Sequence, residues 1–135
     1  HNTKSYSIPD DFELKIDLKG DSFYSQSDTA TAIAMIVNEL LQNSIKHGFS
    51  NRTEGRIAIQ ISCRGKYASI QFSDNGVGIQ PNQNRKEGLG LKLVRSLVKE
   101  KLCGNLKMES SAQGTTVLFD FVNDAQPHIQ PLTTT

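Results

Sequence analysis

Four polar residues near the middle of the chain are spaced so that they could act on one ligand: Glu39, Asn43, Lys46 and His47. At about 100° per residue these positions share one sector of a helix, beside an apolar sector formed within residues 33–40. A carboxylate, an amide and two cations in this arrangement are suited to a hydrated divalent metal ion and the phosphates it carries. A solvated helix face is the alternative interpretation of the same residues.

Three glycine motifs follow this segment. DNGVGI at residues 74–79 places an acid at a strand end before two glycines, which allow tight turning and close backbone approach. GLGLKLV at 88–94 leads a glycine loop into a helix N-terminus, whose amides and positive dipole end can hold phosphate. QGTT at 113–116 is a common way to turn into a strand. Taken singly, each motif also fits an ordinary turn.

The periodicity of apolar residues predicts the elements that position these motifs. Alternation predicts strands at residues 12–18, 56–64, 67–74, 105–110 and 115–122, with hairpin turns at 65–66 and 112–114. Helical spacing predicts a helix from about Thr29 to His47, capped by Ser27 or Asp28 and ended by a left-handed Gly48. A second helix should run from Gly88 to near Gly104. This order predicts a two-layer α/β sandwich, with helices on one face of a mixed, mostly antiparallel sheet.

Length and composition indicate one globular domain. The 135 residues are enough for one core, and we expect a linker or the end of a preceding domain at 1–11, the folded domain at 12–122 and a disordered tail at 123–135. Gln80 to Glu87 has no apolar anchor and is expected to be mobile. A net charge of +1 without an aromatic-interleaved basic cluster argues against general nucleic-acid binding. Cys63 and Cys103 lie beside apolar runs, which favours buried free thiols over a disulfide.

No signal-peptide pattern opens the chain, and no apolar run approaches the roughly 18 residues that a membrane-spanning helix needs. These features predict a cytoplasmic domain that makes no direct membrane contact, and a piece of a membrane protein would share them.

The four motifs occur together and in one order, and in this respect the chain resembles a known family. NELLQNSIKH, DNGVGI, GLGLKLV and GTT resemble the N, G1, G2 and G3 boxes of the GHKL (Bergerat-fold) ATP-binding superfamily of histidine kinases, Hsp90, type II topoisomerases and MutL. Within it, the sequence is similar to the catalytic and ATP-binding domain of a sensor histidine kinase. NELLQNSIKHGF and GLGLKLVRSLVKEKLCGNL are similar to the HisKA_2 class, which includes kinases that signal to RNA-binding ANTAR response regulators.

This resemblance implies a role for each motif residue in binding ATP and Mg²⁺. Asn43 would ligate the Mg²⁺ ion, Glu39 would orient its water or act as a base, and Lys46 and His47 would reach the phosphates. Asp74 would accept a hydrogen bond from the adenine amino group. The remaining implied contacts are Gly76 and Gly78 against the base, Ile79 and Leu91 in an apolar wall, Gly88, Leu89 and Gly90 at the phosphates, and a hydroxyl from Thr115 or Thr116 near adenine. The segment 80–87 is short for a nucleotide lid and lacks the phenylalanine of an F box.

The resemblance also implies partners. A histidine kinase phosphorylates a histidine on a helical dimerisation domain, and neither His1, His47 nor His128 lies in a helix suited to that role. We therefore expect the acceptor domain upstream of residue 1 and a response regulator, such as one of the ANTAR type, as the next partner. Three alternatives remain: a serine kinase of the anti-sigma-factor type, which shares the fold, a binding module that has lost turnover, and an ATP-hydrolysing clamp. The clamp is the less favoured reading, because such proteins need a following domain that supplies a lysine to the phosphates.

Overall fold

A computed structural model describes residues 11–78 and 88–124, which form one five-stranded sheet with two helices. The elements are β1 Glu13–Gly20, α1 Ser27–Asn43, a π-helical turn Ser44–Gly48, β2 Glu54–Arg64, β3 Tyr67–Asp74, α2 Leu89–Glu100, β4 Leu106–Ser111 and β5 Gly114–Val122. Residues 1–10, the predicted mobile segment 80–87 and most of the predicted tail lie outside the described residues.

The sheet has the strand order β1-β2-β3-β5-β4. β1 runs parallel to β2, with α1 in the connection between them, and the other three strand pairs are antiparallel. The β2–β3 hairpin turns at Gly65 and Lys66, and Gly65 has the positive φ of 59° that a tight turn demands. The predicted mixed, mostly antiparallel sheet is confirmed.

The core lies between this sheet and the helices. Alternate residues of β2, β3 and β5 point toward the helices, and the helices contribute their apolar stripes. The largest fully buried side chains are Ile36, Ile57, Val94, Val98, Val117, Phe119 and Phe121. The opposite face of the sheet carries polar and charged residues such as Arg56, Gln60 and Gln71, so the domain has two layers.

The ends of the first helix differ from the prediction. α1 begins at Ser27, and Gln26 takes the N-cap position without a side-chain hydrogen bond, so capping by Ser27 or Asp28 is wrong. The α-helical geometry stops at Asn43, and the chain continues as a π-helical turn in which the Phe49 N–H donates to the Ser44 carbonyl at 2.9 Å. Gly48 ends that turn without a positive φ, so the left-handed cap is also wrong.

The second helix ends at Glu100, earlier than predicted. The Gly104 N–H donates to the Val98 carbonyl at 3.0 Å, so the chain turns back over the last turn of the helix. Cys103 takes a left-handed conformation with a φ of 51°, directly before Gly104. Both cysteines are free as expected, but Cys103 is exposed and Cys63 half-buried, so the prediction that both are buried is wrong.

The edge strand β1 is only partly covered. Its alternation places Leu14, Ile16 and Leu18 on the core-facing side, yet Ile16 is 51% exposed and Leu18 65% exposed. The helices cover the centre of the sheet more fully than this edge. At the other end of the chain, Asp124 hydrogen-bonds through its N–H to the Tyr24 carbonyl at 2.8 Å. Among the described helices, none is long and apolar enough to cross a membrane.

Candidate functional site

Asp74, the last residue of β3, is held by hydrogen bonds to both of its carboxylate oxygens. The backbone N–H groups of Gly76 and Thr115 donate to Oδ1 at 2.9 and 3.2 Å. The Ser44 hydroxyl donates to Oδ2 at 2.6 Å, a length typical of a hydroxyl on a charged carboxylate. Thr115 is directly opposite Asp74 in the sheet register, which explains why its amide lies within reach. The half-buried carboxylate is thereby fixed in orientation.

Ser44 is a candidate site residue that the four sequence motifs did not point to. Its side chain is 2% exposed, and among the described residues it is the polar side chain that is buried with the core. A signal was available: positions 33, 37, 40 and 44 follow one helical stripe, and Ser44 is the polar residue on an otherwise apolar stripe. A buried hydroxyl at such a position calls for a hydrogen-bond partner, and Asp74 is that partner.

The loop after β3 packs closely against the end of the first helix. A Cβ at Gly76 would lie 2.5 Å from the Gly48 carbonyl oxygen, and the Val77 N–H donates to that oxygen at 2.9 Å. Gly78 has a φ of 79°, and a Cβ there would overlap the Ser111 carbonyl. The resemblance implies that these glycines let the backbone pass against a base, and that role stays a prediction. In the structure their close approaches are to the protein's own backbone.

The start of α2 faces two polar residues of α1. A Cβ at Gly90 would lie 2.7 Å from Glu39 Oε1 and 3.8 Å from Asn43 Oδ1, so only a glycine fits without displacing the carboxylate. The first N–H groups of α2 have no carbonyl partner within the helix, and they carry its positive dipole end. Two oxygen donors beside a helix N-terminus fit a divalent cation together with the phosphate groups it bridges.

The other predicted site residues vary in their placement. Lys46 and His47 lie on the exposed side of the π-helical turn. Gly88 and Leu89 are exposed at the start of α2, with Leu89 83% exposed, while Leu91 is half-buried and packs against the core. Ile79 lies outside the described residues.

The two candidate threonines face opposite sides of the sheet. Thr115 is on the helix side with Asp74, whereas Thr116 points to the other side, where its hydroxyl lies 3.3 Å from that of Ser73. Because successive residues of a strand alternate in direction, only one of the pair can share the helix side of the sheet with Asp74, and that residue is Thr115.

One turn of chain joins the two halves of this site. Asn43 faces the N-terminus of α2, and the next residue, Ser44, hydrogen-bonds to Asp74 at the end of β3. The α-helix changes to a π-helical turn between these two residues. The site therefore has a carboxylate end suited to a polar amino group and a helix-terminus end suited to phosphate, held in a fixed relation by adjacent residues.

Solved structures with this fold include histidine kinase catalytic domains. The histidine kinase domain of the blue-light-activated kinase EL346 from Erythrobacter litoralis has a TM-score of 0.71 and 29% identity, over 80% of this chain and 54% of that one. The fold of this chain is thus the one found in histidine kinase catalytic domains.

The family is defined by sequence as well. Residues 28–125 match the model of the histidine kinase-, DNA gyrase B- and HSP90-like ATPases, and the chain belongs to this family. Membership implies that it binds ATP. The resemblance drawn from the four boxes is confirmed.

Curated relatives point in the same direction. The sensor histidine kinase PdtaS of Mycobacterium tuberculosis is 33% identical over 112 residues, which is 80% of this chain and 22% of that protein. The anti-sigma F factor of Clostridium kluyveri is 32% identical over 99 residues, 73% of this chain and 61% of that protein. The chain thus spans about a fifth of the length of the sensor kinase that it matches.

Proposed function

We propose that this chain is the catalytic domain of a sensor histidine kinase, which binds Mg²⁺-ATP and transfers the γ-phosphoryl group to a histidine of a dimerisation domain in the same protein. The observation that carries the proposal is the pair of adjacent residues Asn43 and Ser44. They connect a helix N-terminus suited to phosphates with the Asp74 carboxylate, which is suited to the amino group of adenine. ATP carries both groups.

Each residue then has a defined task. Asp74 accepts from the adenine amino group, and Thr115 supports it through its backbone N–H. Asn43 would supply an oxygen ligand to Mg²⁺, which when bound would neutralise charge on the phosphates. Glu39 would orient a water ligand of the metal ion or take a proton from the attacking group. The amides of Gly88, Leu89 and Gly90 hold phosphate oxygens, as do Lys46 and His47, whose exposed side chains are free to turn toward the ligand.

The reaction is an in-line displacement. A nitrogen of the acceptor imidazole attacks the γ-phosphorus, the bond from that phosphorus to the bridging oxygen breaks, and ADP leaves. Positioning and charge neutralisation provide most of the acceleration in such transfers, which agrees with a site built from amides, a helix dipole and a metal ligand. The phosphorylated domain would then pass the group to a response regulator, such as one of the ANTAR type, with no direct contact of this domain with nucleic acid or membrane.

Calorimetry on the intact chain tests the proposal. We expect binding of ATP and ADP that strengthens with Mg²⁺, and an absence of binding to either nucleotide would overturn it. Phosphate release in the absence of an acceptor gives a second test, because steady release that Glu39→Ala abolishes would favour hydrolysis over phosphotransfer.

Serine phosphorylation of a separate protein is the second candidate, and the similarity to an anti-sigma F factor favours it. The chemistry of the product separates the two. Phosphohistidine is a phosphoramidate that acid hydrolyses, whereas phosphoserine is an ester that survives acid and is lost in alkali. Labelling a protein that contains this domain and the proposed dimerisation domain with radioactive ATP, and washing the product in acid and in alkali, decides between them.

A further inference from the structure

We propose that Ser44 is a positioning residue that makes Asp74 selective for an amino-bearing base. The inference rests on the proposed ATP-binding function and deepens it. Asp74 would be the residue that touches the base, while Ser44 acts through Asp74 and does not contact the ligand.

The direction of the Ser44 hydroxyl follows from its surroundings. The oxygen lies 2.6 Å from Asp74 Oδ2 and 3.2 Å from the Leu40 carbonyl, and it has one proton to donate. The Leu40 carbonyl already accepts the backbone N–H of Ser44. A carboxylate is the stronger acceptor and lies closer, so the proton points to Asp74.

All but one of the hydrogen-bond acceptor sites of the Asp74 carboxylate are then occupied. Its two oxygens offer about four lone-pair sites. The N–H groups of Gly76 and Thr115 occupy both sites on Oδ1, and the Ser44 hydroxyl occupies one on Oδ2. One site on Oδ2 remains for a ligand. A Cβ at Gly48 would lie 3.4 Å from this oxygen, so the missing side chain leaves space beside it.

A single acceptor site has a consequence for base selection. The 6-amino group of adenine offers one N–H to Oδ2, which matches the site. Guanine would pair with a carboxylate through two parallel N–H groups, and each needs its own oxygen. Oδ1 has no capacity left, so guanine cannot make that pair. Ser44 contributes by holding Oδ2 in the orientation that presents its remaining lone pair.

A matched pair of nucleotides tests the role of Ser44. Purine riboside triphosphate equals ATP without the 6-amino group, so it gains nothing from Asp74. Wild type should bind ATP at least about tenfold more tightly than this analogue, the scale expected for a hydrogen bond to a charged group. Ser44→Ala should lose most of that preference by weakening ATP alone, and Ser44→Cys, which keeps the shape and a weak donor, should retain part of it.

Ser73→Ala is the control, because this hydroxyl is next to Asp74 in sequence but contacts Thr116 on the opposite face of the sheet. It should leave the preference unchanged. If Ser44→Ala weakens both nucleotides equally, or keeps the wild-type preference, the inference is overturned while the proposed function stands. Equal binding of both nucleotides by wild type would likewise overturn the inference and leave the proposed function standing. A wild type that binds neither nucleotide removes the proposed function itself. If Ser44→Ala does not fold, Ser44→Cys decides by the same comparison.

Discussion

Replacing Asp74 by asparagine should change the base that this domain prefers, and not simply weaken binding. Two backbone N–H groups point at Oδ1, so the amide oxygen of the asparagine will take that side. The amide nitrogen then replaces Oδ2 beside Ser44, whose hydroxyl can accept from it and donate to the Leu40 carbonyl at 3.2 Å. Every buried group keeps a partner, so the fold should lose little stability.

The effect on ATP follows from that orientation. The adenine amino group would meet an N–H donor where wild type offers a carboxylate oxygen. Losing a hydrogen bond to a charged group and leaving a donor unpaired costs about 2–4 kcal/mol together. Since 1.4 kcal/mol is tenfold in Kd, ATP should bind roughly 30- to 1,000-fold more weakly.

The affinity for inosine triphosphate should change in the opposite direction in Asp74→Asn. Its 6-oxo group is an acceptor, which the carboxylate of wild type repels and the new amide nitrogen can pair with. A neutral hydrogen bond gains about 0.5–1.5 kcal/mol, so Asp74→Asn should bind it roughly 2- to 10-fold more tightly than wild type. Calorimetry with both nucleotides and a melting curve for each variant provide the measurement. Equal loss for both nucleotides, or unchanged ATP binding in a folded variant, would refute the orientation derived for Asp74.

Three further predictions concern the rest of the site and the end of α2. Gly90→Ala should push the Glu39 carboxylate aside and weaken the binding of Mg²⁺ with a non-hydrolysable ATP analogue about tenfold, because the shift disturbs a charged contact. Gly88→Ala is the control, because a Cβ at Gly88 would meet nothing within 4 Å and should leave this affinity unchanged. Equal effects of the two variants in calorimetry would contradict the close contact at Gly90. Asn43→Ala should abolish the Mg²⁺ dependence of nucleotide affinity while leaving a residual metal-independent affinity, and titration with and without EDTA checks this. Cys103→Gly should raise the free energy of unfolding by up to about 1 kcal/mol in urea, because the left-handed φ of 51° costs a side-chain-bearing residue more than glycine; a loss of stability would count against that explanation.

Much of the fold could be predicted because its signals are local. The alternation of apolar residues in β2, β3 and β5 and the apolar stripes of α1 and α2 indicate directly which faces of these elements are buried. The exposed side chains of Ile16 and Leu18 could not be predicted in this way, because periodicity gives the face on which a residue lies and not how far the opposite layer extends. Cys103 is a similar case, since Gly104 was the better residue for the left-handed position and the chain places its neighbour there.

In the site, too, the features with local sequence signals could be predicted and those that depend on packing could not. Asp74 and the glycines were found by their motifs, and the structure then adds what the glycines contact. Ser44 was missed because its partner is 30 residues away, and only the packing of the first helix on β3 brings the two together. The choice between Thr115 and Thr116 depended on a register that alternation alone leaves open by one residue.

The edge strand β1 is expected to unfold locally before the rest of the sheet. Among the described strands, β1 is hydrogen-bonded only to β2. Its register pairs Glu13 with the distant Glu54, and the side chains of Ile16 and Leu18 are more than half exposed. Few buried contacts and a long loop to close are the marks of a low-stability folding unit. Amide hydrogens of residues 13–20 should therefore exchange with solvent well before those of β3, which lies in the middle of the sheet. Opening at this edge would leave the Ser44 to Asp74 bond and the start of α2 in place, so the strand can unfold locally without dismantling the site.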